Sequence, residues 1–466
     1  MLSPAFGVKK LTIPRRDFLK RGIAGAAIGG ACHSWYAGSA LALPAEHQLT
    51  IRKIERITVK VPYREIPARH MARELPHWRY SEIFKVHLRS GHVGYGETLL
   101  YYTWDASEDD DVRRAQGKNA AALMWDDELG AGLQMALFDA VAKTADVPIH
   151  RLLGTQMHDK TPLSWWNIDT SPEDMAAECR EAHRQGYLAY KTKGRPWIDL
   201  WGQAEQSTKV VPESFKIDMD FNDTLLDARR AIPILKEISA HRHIDIYETP
   251  IFQTDIPGNQ AIRKATRVAL AMHYGKPDAI TAINRKICDG FIIGGGASRV
   301  MRQAAVSAAA DMPFWLQLVG TGITAAWSLH FGGVLSHATW PAVNCHQLYT
   351  HQLLTKPIQV RGGFAQVPNR SGLGVEIDWE AIERFRVEKP KQRPEPARLI
   401  ETRWPNGQRM LIANNGKVNF MLDVARQGKM PFFKRGVTTR LVADDGTESW
   451  RTLYNKARRG PVFERA

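Results

Sequence analysis

The chain of 466 residues holds only 4 cysteines, and no two of them have CxxC spacing. Cys179, Cys288 and Cys345 lie in apolar or helical surroundings and read as packed thiols, not as a disulfide framework. Long apolar runs are missing too: outside a short stretch near the start, nothing approaches the ~18 residues of a membrane span. Charge of one sign is absent from the middle of the chain. Residues 1–42 carry six Lys/Arg against one Asp, and the stretch from Pro396 onward carries fourteen Lys/Arg against six Asp/Glu. These ends hold nearly all of the formal +14, so the body is close to neutral and is not a nucleic-acid-binding core. With 44% hydrophobic and 24% charged residues the composition is globular, and the length suggests about three units.

Residues 14–20 read Pro-Arg-Arg-Asp-Phe-Leu-Lys and precede a weakly apolar Gly/Ala-rich stretch from Gly22 to Ala31. Paired arginines before a short apolar region match the twin-arginine export pattern, and Ala40-Leu41-Ala42 offers a cleavage site. The expectation is a periplasmic or exported protein that loses residues 1–42 and keeps no membrane span. A basic N-terminal arm is the bland alternative. A lipoprotein anchor at Cys32 is another, weakened by Gly29 where leucine is usual.

From Pro162 onward the chain alternates strand and helix. Strand-like runs fall at 163–166, 188–193, 215–221, 244–248, 268–273, 288–293, 313–318 and 343–348. Helix-period stretches include Pro172–Arg184, Leu225–Ser239 and Ser298–Ala310; the stretch after the fourth run is the weakest. Eight alternations predict an α/β chain with a closed parallel barrel over 161–356, an open doubly wound sheet being the alternative. Ahead of it, residues 49–160 predict an α+β domain, with strands at 49–61, 83–88 and 93–97 and a helix around 133–143. The segment near 357–390 is expected to return to that domain. Residues 391–466 begin with a Pro-rich linker and read as a basic, β-rich extension, expected to be an added module with a surface or partner role.

Polar residues gather where apolar strands end. Lys191 and Lys193 alternate on one strand and share a face, which in a barrel is the interior. Two ammonium groups so placed repel, and at least one is pushed toward the range of a base. Asp218, Asp220 and Asn222 share a face of the next strand, Glu248 ends the fourth, and Asp289 begins the sixth. Taken singly, solvated lysines, a helix cap at Asp289 and a solvent-facing Glu248 are the plainer readings. Their recurrence on four strands points to the catalytic mouth of a βα barrel.

This constellation resembles the mandelate racemase and muconate lactonizing branch of the enolase superfamily over about Ile51 to Phe385. Further markers are Gly94-Tyr-Gly-Glu97, Asp139 with Lys143, Pro148-Ile-His-Arg-Leu-Leu-Gly154, Ile293-Gly-Gly295 and Gly372-Leu-Gly-Val-Glu-Ile377. The resemblance implies an α+β capping domain over a (β/α)7β barrel, a small-molecule carboxylate substrate, and a homo-oligomer. It also implies a divalent metal that stabilises the enediolate formed when a base removes the proton α to a carboxylate. By the resemblance, Asp220 and Glu248 are metal ligands, Lys193 is the base and Lys191 lies near the substrate carboxylate.

Two positions depart from the pattern. The third ligand falls on His273 instead of a carboxylate. Gln317 stands where racemases place a histidine paired with the strand-six aspartate, here Asp289. The eighth strand's Cys345-His346-Gln347 offers no acid. An imidazole ligand shifts the preference from Mg²⁺ toward Mn²⁺, Fe²⁺ or Zn²⁺. Gln317 carries no titratable proton, which argues against two-base racemisation. The expected enzyme is an exported lyase dehydrating a hydroxy or sugar acid, with Asn222, Arg73 and His77 as substrate contacts. In this reading residues 63–79, rich in Arg and His, form a cationic lid. The competing reading is a catalytically decayed homologue that binds a carboxylate or a partner protein.

Overall fold

The structure, a computed structural model, describes residues 45–102 and 106–465; the expected export segment at 1–42, with Cys32, lies outside them. Strands β1 (Ile51–Lys60), β2 (Tyr80–Leu88) and β3 (Val93–Leu99) form an antiparallel meander, and the helix Ala131–Thr144 lies across it. Gly94 and Gly96 set that packing distance. A Cβ on Gly94 would stand 2.0 Å from the Ala136 carbonyl, and one on Gly96 2.0 Å from that of Gly132. The buried Asp139 on the helix accepts from the backbone N–H groups of Tyr95 (2.8 Å) and Leu373 (2.7 Å). Glu97, also buried, accepts from Ser81 and from the hydroxyls of Thr321 and Thr324. These two acids tie the cap to later parts of the chain.

Eight parallel strands follow: β4 (Lys160–Trp166), β5 (Ala189–Lys193), β6 (Lys216–Asp220), β7 (Ile244–Glu248), β8 (Ala269–His273), β9 (Gly290–Ile293), β10 (Phe314–Leu316) and β11 (Ala342–Val343). They pair in sequence from β4 to β10, with β11 beside β4, and a parallel bridge from Gln317 to Val343 joins the two ends. The ring is therefore closed, and the open-sheet alternative falls. Helix starts carry the expected caps: Ser171 accepts from the Asp174 N–H, with Pro172 in the first turn. The stretch after the fourth barrel strand, weak in pattern, is a helix at Ile256–Ala265 because Asp255 caps it and a proline opens it. Strand β12 (Phe364–Gln366) runs antiparallel to β4, and the return segment reaches the cap where the Val387 N–H donates to the Thr58 carbonyl at 2.9 Å.

The C-terminal residues build an antiparallel sheet in the order β15 (Thr438–Val442), β13 (Leu399–Arg403), β14 (Gln408–Ala413), β16 (Val462–Arg465). It is β-rich as expected but not a separate appendage. Ile400, Met410 and Phe420 share one buried apolar cluster with Trp197 and Ile198 of the loop after β5. Phe433 belongs to the barrel's own core. Arg398, 1% exposed, donates to the carbonyls of Arg73 (2.7 Å) and Glu74 (3.1 Å). Arg435 pairs with Glu205 and Glu237 on two barrel helices. The described residues form one compact unit. Among the described residues the cysteines 179, 288 and 345 are free and buried, and no helix is long and apolar enough to cross a membrane.

Candidate active site at the barrel mouth

Strand register sets the site. Lys193 lies opposite Asp220, Asp220 opposite Glu248, and Glu248 opposite Ala271, so the ends of β5 to β8 stand level around one opening. A cavity of about 510 Å³ opens there, floored by Lys191, Lys193, Asp220, Asn222, Glu248, His273 and Gln317. These are C-terminal strand ends, where βα barrels carry chemistry.

The Lys193 ammonium contacts the Asp220 carboxylate and donates to Asn222 Oδ1 at 3.2 Å. The Lys191 ammonium contacts Glu248, donates to Gln317 Oε1 at 3.0 Å and lies 5.0 Å above the Trp315 ring. Each lysine thus has its own acid, and their proton affinities move apart. Burial, Lys191 and Arg195 together outweigh Asp220 and lower the Lys193 pKa. For Lys191 burial also acts downward, but Glu248 and Asp220 outweigh it and hold the ammonium charged. Burial alone would raise the Glu248 pKa; Lys191, His273 and Lys193 overcome it and hold the carboxyl far below its usual range. Asp218, one layer deeper on β6, is driven well above its ordinary value by burial and by Asp245.

Both oxygens of Glu248 are buried and lack a well-aligned hydrogen bond among the described residues, and His273 Nε2 lies 3.0 Å from Oε1. Two adjacent carboxylates and an imidazole are a donor set that suits a divalent cation. Within the described residues no three such donors close into a ready cage, because each acid is turned toward a lysine.

Sequence reasoning missed Arg195. It is 2% exposed, donates to Asn222 Oδ1 at 2.6 Å and to the Phe221 carbonyl at 3.0 Å, and so fixes the amide that Lys193 also contacts. Its only signal is a cation one residue past the Gly194 that ends the strand. Cys345 lines the cavity, whereas His346 turns away to bond the Tyr187 hydroxyl at 2.9 Å.

Three expected site residues lie elsewhere. Asp289 precedes β9 and so sits at the opposite, N-terminal end of the barrel, where it pairs with Arg263 at 2.6 Å and accepts from the Leu270 N–H. Arg73 is buried, pairs with Glu74 and donates to the Asp169 carbonyl. His77 is buried, and neither ring nitrogen has a hydrogen-bond partner among the described residues. The cationic lid dissolves for the same reason: Arg64 pairs with Glu178, Arg69 and His70 with Asp174, and Arg79 lies over the Tyr63 ring. Arg64, Arg69 and His70 thereby join the cap to the barrel helix Pro172–Arg184. What that segment gives the cavity is Leu75 and Trp78.

Burial, with Arg393 beside it, pushes the His77 pKa down to about 4. A depressed histidine stays neutral in the folded protein while the unfolded chain takes up a proton, so its burial costs stability as pH falls from its ordinary ~6.5 toward 4. In His77→Gln, the slope of stability against pH in that window should flatten by up to ~1.4 kcal/mol per pH unit. Urea titrations at stepped pH check this; an unchanged slope would mean that His77 is not buried as neutral imidazole.

The cavity's remaining wall comes from the C-terminal segment through Arg393, Val418, Asn419, Leu422 and Arg426. Arg426 donates to the Asn222 carbonyl at 3.0 Å and pairs with Asp223 at 3.1 Å, beside the catalytic end of β6.

Comparison with known proteins fits this geometry. Residues 174–381 match the family model "Enolase C-terminal domain-like". A muconate cycloisomerase of Acinetobacter lwoffii is 25% identical over 275 residues, which cover 56% of this chain and 70% of that one. A D-gluconate dehydratase of Thermoproteus tenax is 21% identical over 308 residues, covering 59% and 60%. The solved muconate lactonizing enzyme of Pseudomonas fluorescens superposes with a TM-score of 0.60 at 21% identity, over 73% of this chain and all of that one.

Proposed function

The chain belongs to the enolase superfamily, in the branch of mandelate racemase and muconate lactonizing enzymes, and from that we propose an enzyme that removes the proton α to a carboxylate. The observation that carries the reading is one cavity floored by two lysines, each against its own acid, at level strand ends. Lys193, whose proton affinity is lowered by burial, Lys191 and Arg195, takes the α-proton in its free-amine form. Asn222 and Arg195 hold its amine in place, and Lys191, kept charged by Glu248, lies where a substrate carboxylate is received. Asp220 and Glu248, with His273, would hold a divalent metal, Mg²⁺ by family habit or Mn²⁺, Fe²⁺ or Zn²⁺ given the imidazole. When bound, it would offset the negative charge that develops on that carboxylate.

Gln317 bonds Lys191 and has no proton to deliver to the opposite face, so the reaction is one-sided. Loss of a β-hydroxyl then gives a lyase that dehydrates a hydroxy acid, and the similarity to a D-gluconate dehydratase supports an elimination. The twin-arginine pattern supports action in the periplasm. His273 and Gln317, standing where family members carry an acid and a histidine, are the ground for the competing reading of a decayed, carboxylate-binding homologue.

The test is a panel of hydroxy acids incubated with the full chain and Mg²⁺ or Mn²⁺ in deuterium oxide, followed by NMR at the α-position. Exchange or elimination is expected. Acids that bind without either would favour the decayed homologue.

A further inference from the structure

We propose that the segment from Lys391 onward is the specificity wall of this site, and that it selects a hydroxy acid whose body is apolar and ring-sized rather than a polyol chain. The inference rests on the reading of the floor as a carboxylate site and concerns what lies above it.

Among the described residues the lining beyond the lysines and acids is mainly aromatic and aliphatic, with Asn419 an exposed polar group beside it. Trp78, Tyr102 and Trp166 line the same cavity, with Trp78 packed edge-on to Tyr102 at 4.5 Å between centroids and stacked on Trp166 at 5.6 Å. Val418 and Leu422 of the C-terminal segment complete that face. The cations the segment brings are already engaged: Arg426 with Asn222 and Asp223, Arg393 with the Gly416 carbonyl and Glu395. The Tyr101 hydroxyl donates away, to the Pro390 carbonyl. Against this face each hydroxyl of a polyol left without a partner lowers affinity roughly tenfold, whereas an aryl or alkyl body gains contact with the rings.

The wall is seated, not loose. Phe433 meets Phe221 at 6.1 Å between centroids, and the Thr439 hydroxyl donates to the Trp197 carbonyl. It is also additional, because the family model ends at residue 381. The resemblance led to the expectation of a hydroxy or sugar acid; the wall favours an apolar body over a sugar chain.

Calorimetric titration of the full chain with Mg²⁺ present, using 3-phenyllactate and D-gluconate as probes, tests the proposal in the wild type, Leu422→Gln and Val418→Thr. Phenyllactate should bind at least ~10-fold tighter than gluconate, and each variant should shrink that ratio ~3-fold or more. Val418 is half-buried, so its near-isosteric threonine reports on the wall even where Leu422→Gln fails to fold. Gluconate binding as tightly as phenyllactate, no phenyllactate binding at all, or a ratio unmoved by Val418→Thr would overturn it. Binding preference is read without turnover. A preference kept with no α-exchange would sink the catalytic reading and leave the wall standing; exchange with no preference would do the reverse.

Discussion

A chain ending at residue 390 should not yield a soluble, folded barrel. The cut would strip Trp197 and Ile198 of the cluster they share with Ile400, Met410 and Phe420, and would leave Phe221 without Phe433. It would also remove Arg398 from the carbonyls of Arg73 and Glu74, at the end of the helix Glu65–Glu74. The exposed surface would be apolar, contiguous and next to the active-site mouth, the kind that drives aggregation. A milder version separates folding from solubility: Phe433→Ala should cost ~3–5 kcal/mol in urea unfolding, the usual range for emptying a buried phenylalanine site. A soluble, cooperatively melting 1–390 fragment would make the segment an appendage after all.

Glu248→Gln should cost ~3–5 kcal/mol of stability, because it strands a buried ammonium. The Lys191 side chain is 2% exposed, and Glu248 is its only ion-pair partner among the described residues; Asp220 acts from farther off, and Gln317 and the Trp315 ring carry no charge to neutralise it. The double variant Lys191→Met/Glu248→Gln should regain most of the loss, since it removes both charges instead of one. Both variants should lack α-proton exchange. Recovery of stability without recovery of exchange is the pattern expected of a pair that is structurally self-balanced and catalytically required. A double variant as unstable as Glu248→Gln would mean that the two groups are not paired.

The floor of the site was legible because parallel strands obey a period of two. Lys191 and Lys193, Asp220 and Asn222, and Glu248 all follow the start of an apolar run, so they share a face and an end. Asp289 misled for a related reason. It precedes its apolar run where the others close theirs, and the direction of the strand carries it to the far side of the barrel. The cations of residues 63–79 were readable as charges but not as pairs: Asp174, which claims Arg69 and His70, lies more than a hundred residues away. Closure of the barrel was readable in eight alternations, whereas the role of the C-terminal segment was not. Its basic composition suggested a solvated surface. Yet Arg398 is buried, Arg426 reaches back 204 residues to Asn222, and Arg403, Arg409 and Arg440 surround the buried Glu401. Formal charge counts groups and says nothing of where their partners are.

The measurement that bears most directly on the account is solvent-deuterium incorporation at the α-carbon of a hydroxy acid by the full chain, compared with Lys193→Ala. General-base removal by one residue predicts label on a single face, or elimination, in the wild type and a fall of ~10²–10⁴-fold in the variant. Label undiminished in Lys193→Ala, or racemised product from either enantiomer, would contradict it.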